Sequence, residues 1–435
     1  MKRKKVLIIT YYWPPSGGAG VQRWLKFSKY LPEFGWDPVI YTVENPEAPI
    51  EDPSLIEDIP EDIKVIKTHI WEPYRLYKQF IGEKHAKIKH GFLSERKKPS
   101  LRQKLSVWIR GNLFIPDARK FWIRPSIKYL KKYLSDHPVD VIISTGPPHS
   151  THLIALGICD YFKIPWLADF RDPWTNIDFY KDLGLTACAD RKHRKFEHRV
   201  LSKATQILTI GWTLAREFEA LGAKNVKVIT NGFDQQDFSK PPELPKDPIY
   251  ITHIGAMNKD RNPHVLWSTL EKLRSSQTKL IESVRIKLIG DHDFSVYESI
   301  RKHGLQHMVQ FEDYLPHRRA IDQLFQSHIL LLALNNSPNQ RGILPGKLFE
   351  YLASQRTILA IGPEDGDTAR VLRETNAGFI VGFHDEEKLT GVLKDLLSQL
   401  HANPDFSPHR RIEKYDRRNL THELSGFLNK LSSEE

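Results

Sequence analysis

The chain has 435 residues, 40% hydrophobic and 27% charged, with a formal net charge of +11. That length exceeds one ordinary core and fits two domains, and the balance excludes a disordered or fibrous chain. Two cysteines, Cys159 and Cys188, exclude a disulfide scaffold. Neither belongs to a CxxC pair, and Cys188 with His193 offers too few ligands for zinc, so no metal is expected. The basic start, Met1 to Lys5, precedes only a short apolar run, Val6 to Thr10, with no small-residue cleavage site after it. No window approaches the roughly 20 apolar residues of a membrane span. A cytoplasmic protein is expected.

Short apolar runs alternate with longer amphipathic stretches from end to end. In the first half, Lys5–Tyr12, Pro38–Val43, Ile63–Thr68, Val139–Ser144, Trp166–Ala168, Gln206–Ile210 and Val226–Thr230 read as strands. Helical patterns fall on Gly20–Pro32, near Pro125–Ser135 and on Thr151–Phe162. Asp237–Pro248, with four prolines, reads as a linker. Beyond it the strands restart at Ile249–Ile254, Arg285–Ile289, Val309–Phe311, His328–Leu334, Thr357–Ile361 and Gly378–Val381, with helices between. Such alternation implies right-handed βαβ crossovers and parallel sheets covered on both faces, an α/β fold in two Rossmann-like halves. The expected domains are 1–240, 241–405 and a final segment, 406–435, whose amphipathic helix follows the last helix of the second domain without an intervening strand.

The positive charge is concentrated. Between Arg75 and Lys132 stand 17 Lys/Arg against three acids, interleaved with Trp108, Phe114, Phe121 and Trp122. Three readings fit this insert near 70–132: a solvated helical face, a surface for anionic lipid headgroups or an anionic acceptor, or a nucleic-acid site. No RRM, KH, zinc-finger or helix-turn-helix pattern accompanies the charge, so nucleic acid is not the expected partner.

Two loops carry chemistry. The first strand runs into Tyr11–Gly20, with glycines at 17, 18 and 20, before a helix begins. Backbone can approach a ligand closely there, and a helix N-terminus offers N–H groups to an anion; tight packing alone is the other reading. The spacing is not GxGxxG and no acid ends the second strand cleanly, which disfavours a nicotinamide dehydrogenase. The second loop, Gly342–Ala353, places Pro345 and Gly346 at a helix start, with Lys347 reinforcing a diphosphate seat. Glu350, a turn later, can accept two ribose hydroxyls; a capped surface helix with a Lys/Glu pair is the plain alternative. Asp291 and Asp293 fit a D-x-D metal pattern, but beside Gly290 they read as a strand-end turn.

Pro14–Arg23, Ala168–Trp174, Asn231–Asp234 and Pro345–Leu352, in that order, resemble the family 4 glycosyltransferases of the GT-B fold. The resemblance implies two facing Rossmann-like domains with parallel sheets and a cleft between them, the donor nucleotide held by the C-terminal one. It implies a nucleotide-sugar donor as substrate, no cofactor, no metal, and retention at the anomeric carbon. Gly17 and Gly18 match the glycine loop facing the donor phosphates, and Glu350 matches the second glutamate of E-x7-E. The first glutamate is replaced by Gly342. Lys259 and Arg261 stand where the family presents a basic pair, and with Gly346 and Lys347 they make the expected donor site. On the acceptor side, His149, Asp169 and Asp172 are candidates to contact the sugar or to orient or deprotonate a hydroxyl, with Arg171 beside them. The expected product is a polysaccharide or glycolipid, made from a glycan or lipid-linked acceptor at the inner membrane face. Rival readings are a non-catalytic nucleotide-sugar or membrane-binding module, and an epimerase or hydrolase on the same scaffold.

Overall fold

The computed structural model describes residues 3–48, 51–72, 101–238, 242–404 and 410–433. The chain divides into two compact units: Met1–Asn231 with Arg417–Glu435, and Gly232–Asp416.

The first unit contains β1 (Lys4–Ile9), α1 (Ala19–Tyr30), β2 (Trp36–Val43), β3 (Lys64–Thr68), α2 (Leu101–Leu113), α3 (Lys120–Asp136), β4 (Val141–Gly146), α4 (Ser150–Phe162), β5 (Trp166–Phe170), α5 (Ala187–Lys203), β6 (Gln206–Thr209), α6 (Trp212–Ala220) and β7 (Val226–Val228). Its sheet has the order β3-β2-β1-β4-β5-β6-β7, and all its pairings are parallel. Successive side chains of β1 enter opposite cores: Leu7 and Ile9 join one buried cluster, Val6 and Ile8 the other. Burial on both faces is why these strands read as unbroken apolar runs.

The second unit contains β8 (Ile249–Ile254), α7 (His264–Ser276), α8 (Thr278–Ile281), β9 (Val284–Ile289), α9 (Phe294–Lys302), β10 (Val309–Glu312), α10 (His317–Phe325), β11 (Ile329–Ala333), α11 (Gly346–Ala353), β12 (Thr357–Ile361), α12 (Asp367–Thr375), β13 (Gly378–Val381) and α13 (Glu386–Ala402). Its sheet, ordered β10-β9-β8-β11-β12-β13, is also parallel throughout. In each sheet the order reverses beside the first strand, between β1 and β4 and between β8 and β11. At such switch points the loops leaving the carboxyl ends of two strands diverge to opposite faces and leave a crevice, the usual ligand position in open α/β sheets.

The last helix, α14 (Arg417–Leu431), belongs to the first unit. Leu420, Leu424, Leu428 and Leu431 recur at helical spacing and enter the cluster of Trp24, Leu31 and Trp36. Each such leucine contributes roughly 1.5–3 kcal/mol by leaving water. Asn429 accepts a hydrogen bond from the Trp36 indole at 3.1 Å and fixes the helix in register.

Two departures from the sequence expectation have a direct physical cause. The helix placed near Pro125–Ser135 begins at Lys120, so Pro125 lies inside it and forfeits one backbone bond. The 17-residue α5 was not anticipated, because two positions of its inward stripe are His193 and Glu197. Those polar residues break the apolar period on which helix recognition depends. Of the basic insert, residues 73–100 lie outside the described residues, as do 239–241 of the expected linker.

The fully buried Leu424 gives a direct check on the fold. Leu424→Ala should lower stability by about 2–5 kcal/mol in urea unfolding, as expected for a cavity cut into a packed leucine cluster.

Candidate functional site

In the first unit, one carboxylate organises the strand ends. Asp169, the fourth residue of β5, is wholly buried. It accepts bonds from Arg23 Nη2 (3.0 Å) and Nε (3.3 Å), from Trp24 Nε1 (2.7 Å) and from Thr145 Oγ1 (2.9 Å). Arg23 Nη1 also donates to the Thr230 carbonyl at 2.9 Å. The ends of β4 and β5, the segment after β7 and the start of α1 are thereby tied together. This corrects the sequence expectation for Asp169: its oxygens are spent on four protein donors, so it anchors the loop rather than meeting an acceptor hydroxyl.

Arg171 follows on the same strand end. Its Nε donates to the Gly146 carbonyl at 3.2 Å and its Nη2 to that of Pro147. Its Nη1 lies against Gly20, where an added Cβ would sit 1.7 Å away, so a side chain at position 20 would displace the guanidinium. Gly17 and Gly18 precede α1, whose N-terminus has no side-chain cap, and Gly18 at φ 98° faces open space. Asp172 is exposed beyond Arg171.

His149, at the N-cap of α4, stacks on Trp174 with centroids 4.4 Å apart. Burial, with His152 and Arg171 nearby, holds its imidazole well below the usual range, and its Nδ1 has no hydrogen-bond partner among the described residues. His193 fixes Trp174 beneath it, taking the indole N–H at Nδ1 (3.2 Å) and facing the Gly111 carbonyl through Nε2 (3.3 Å). Sequence reasoning missed Trp174 and His152 as members of this group. His152 is completely buried, neutral with its pKa pushed down to about 3 by burial, and bonded to Ser144 through Nδ1.

In the second unit, the expected donor residues converge on the β8/β11 switch point. The turn after β8 holds Lys259, exposed, and Arg261, folded inward. Arg261 donates to Asn335 Oδ1 (3.0 Å) and to the Ala256 carbonyl (2.8 Å), joining the two diverging loops. After β11, Pro345 N-caps α11 without a side-chain bond, leaving the N-terminus of a helix that starts Gly346-Lys347 open to an anion. Lys347 reaches back to β8, where its Nζ donates to the Ile254 carbonyl at 2.9 Å and lies 3.4 Å from His253 Nε2. Gly255, at φ 111°, makes room for that reach: a Cβ there would stand 2.9 Å from Lys347 Nζ.

Burial and the Arg261 guanidinium push the Lys347 ammonium down to about 7, against the pull of Glu350. Glu350, half-buried one turn into α11, lies 4.0 Å from His317 Nδ1. Gly342 ends a short 3-10 turn, Gln340–Gly342. Asp293 caps α9 by accepting from Ser295 N at 2.8 Å, and among the described residues no cluster of three or more metal-ligating side chains forms.

Residues 234–417 match the family described as Glycosyl transferases group 1, bounds within two residues of the second unit. The second unit is a group 1 glycosyl transferase domain. With one parallel sheet in each of its two units the chain has the GT-B fold, and it is a glycosyltransferase. No curated protein sequence matches the chain. Among solved structures, Anabaena HepE in complex with UDP-glucose is similar at 12% identity and a TM-score of 0.57, covering 98% of this chain and 100% of that one. An S. aureus TarM variant with fondaparinux, alpha-GlcNAc-glycerol and UDP has the same values. A putative UDP-N-acetylglucosamine 2-epimerase from Listeria monocytogenes aligns at 10% identity and a TM-score of 0.55, covering 100% and 98%. At such identities the likeness is one of fold.

The Asp169 anchor predicts a paired result. Arg23→Met, which leaves a buried carboxylate unpaired, should cost about 3–5 kcal/mol of stability in denaturant titration. Adding Asp169→Asn to that variant should recover part of the loss, since the uncompensated charge is then gone.

Proposed function

We propose that the chain transfers a glycosyl group from a nucleoside-diphosphate sugar to an acceptor hydroxyl, with retention and without a metal ion. The observation that carries this reading is the meeting of Arg261, Lys347 and the uncapped N-terminus of α11 at the switch point of the group 1 domain. Positive charge fixed there opposes the negative charge that grows on the departing diphosphate as the glycosidic bond breaks. In this reading Gly346 lets the diphosphate approach backbone, Glu350 binds the ribose hydroxyls, and Lys259 adds a mobile cation at the rim. The first unit serves the acceptor: His149 contacts the sugar from its Trp174 platform, Asp172 handles the hydroxyl proton, and Arg171 supports them.

The proposed acceptor is a glycan or lipid-linked molecule, and α2 supplies the argument for a lipid surface. Along this helix Leu105, Trp108 and Leu113 are exposed while Ser106 and Gly111 are buried, the reverse of an ordinary surface helix. Beside it, Lys120 Nζ lies 5.0 and 4.9 Å from the Phe114 and Phe121 rings, and Trp71 packs edge-on against Phe121 at 4.8 Å. Aromatic and aliphatic side chains set among cations suit the headgroup region of an anionic leaflet. No helix among the described residues is long and apolar enough to cross a membrane.

A thermal-shift and calorimetry screen of UDP-, GDP- and ADP-sugars tests the donor site. One nucleotide should stabilise the protein, and Glu350→Ala should weaken it at least about tenfold through loss of charge-assisted hydrogen bonds. Silence towards all of them would overturn the donor reading. Donor breakdown that proceeds equally without acceptor would favour an epimerase or hydrolase, for which the Listeria likeness provides the fold.

Vesicles containing phosphatidylglycerol test the lipid surface. The protein should bind them at low ionic strength and release as salt screens the charge. The double variant Leu105→Ala, Trp108→Ala should bind more than about tenfold more weakly. Indifference of the wild type to such vesicles would remove the membrane from the proposal.

A further inference from the structure

The histidine inside β8 has no part in the donor contacts proposed above, and its surroundings define what it does. His253 is completely buried, in a strand otherwise of apolar and hydroxyl-bearing residues. Its Nδ1 lies 3.0 Å from the Leu331 carbonyl of the neighbouring strand β11. A carbonyl only accepts, so Nδ1 carries the proton and Nε2 presents a bare lone pair. That lone pair faces Lys347 Nζ at 3.4 Å, and the Ile254 carbonyl faces the same nitrogen at 2.9 Å. Two acceptors are thus built around one buried amine.

The donor count then becomes decisive. A neutral lysine amine has two N–H groups, and His253 Nε2 and the Ile254 carbonyl take both. Only the ammonium has a third. We propose that His253 is a positioning residue for the donor: by occupying one N–H of Lys347 it makes binding of the sugar-nucleotide diphosphate require the third, so that binding takes up one proton at Lys347. The inference rests on the donor-site reading and deepens it. Proton balance is simple: neutral Lys347, one solvent proton and the diphosphate give a bound ammonium–diphosphate pair, with no covalent bond made or broken.

The groups facing Lys347 support this. Arg261, from the turn after β8, repels the ammonium; Glu350, one turn along α11, attracts it. His253 is kept neutral by burial and by Lys347 itself, and burial also lowers His292, which follows β9 and feels the Lys347 charge. Tyr351, buried and raised above its usual range, spends its oxygen accepting from Ile254 N at 3.0 Å. The free amine is therefore poised near pH 7, and an arriving diphosphate is the strongest new anion in its field.

Isothermal titration tests the proposal, using whichever of UDP-glucose, GDP-mannose or ADP-glucose binds. Their diphosphates are esterified at both ends and do not titrate near neutrality. At pH 8, binding heats in HEPES and in Tris should differ by the uptake of most of one proton. The dissociation constant should rise up to tenfold per pH unit above about 7, because free Lys347 loses its proton there while the bound form keeps it. Lys347→Met should abolish the uptake. His253→Gln, which keeps an acceptor at the reach of Nε2, should preserve the pH slope. His253→Leu frees an N–H and should flatten that slope although Lys347 is still present. Binding whose heat is the same in both buffers would overturn the proton linkage alone. Absence of binding by all three sugar nucleotides would overturn it together with the donor site.

Discussion

A single buried carboxylate holds the first unit's ligand end in shape. Asp169 collects Arg23, Trp24 and Thr145, and through Arg23 it reaches the carbonyl of Thr230. A buried ion pair is rarely a large net source of stability, because desolvation offsets most of the attraction. Its value here is geometric. Three strand ends and the first helix take their relative positions from one charged centre, and the glycine loop hangs from that helix. Arg171, fixed by the carbonyls of Gly146 and Pro147, then closes over Gly20.

The second unit solves a similar problem with different chemistry. Its diverging loops are joined by Arg261 to Asn335 and by the backbone bond from Asn336 N to the Asp260 carbonyl, 2.8 Å long. No buried carboxylate accepts from Arg261 in these bonds. The positive charges of Arg261 and Lys347 are held by neutral carbonyl, amide and imidazole acceptors. A site assembled this way keeps its cations desolvated, and burial with the Arg261 charge outweighs the pull of Glu350, which explains the depressed ammonium of Lys347. The first unit's central arginine is paired with a buried carboxylate, whereas Arg261 and Lys347 of the second are held by neutral acceptors.

The parallel sheets were legible because every central strand is covered on both faces. The central strands Ile249–Ile254 and Thr357–Ile361, and the edge strand Gly378–Val381, have the bounds the sequence predicts, residue for residue. Helix α5 was not legible, since His193 and Glu197 occupy inward positions that a period search counts as polar. Among the candidate site residues, Gly346, Lys347 and Glu350 were legible from the Pro345-Gly346 helix start, and Arg261 from the family resemblance. Asp169 could be located at a strand end, but its engagement could not, as its partners Arg23, Trp24 and Thr145 come from two other segments. His253 is invisible to such reasoning. It is one polar letter in a strand, and its role depends on a carbonyl of β11 and an amine of α11, 78 and 94 residues away.

The return of α14 to the first unit has a consequence for biosynthesis. The first unit is discontinuous along the chain, while the second is a single uninterrupted stretch inserted within it. During synthesis the Trp24–Leu31–Trp36 cluster waits, with one side uncovered, through the emergence of about 185 further residues, Gly232 to Asp416. The inserted unit has all its own strands and can close first. Completion of the first core therefore follows synthesis of the whole second unit, and an mRNA truncated before Arg417 would yield a finished second unit tethered to an unfinished first one.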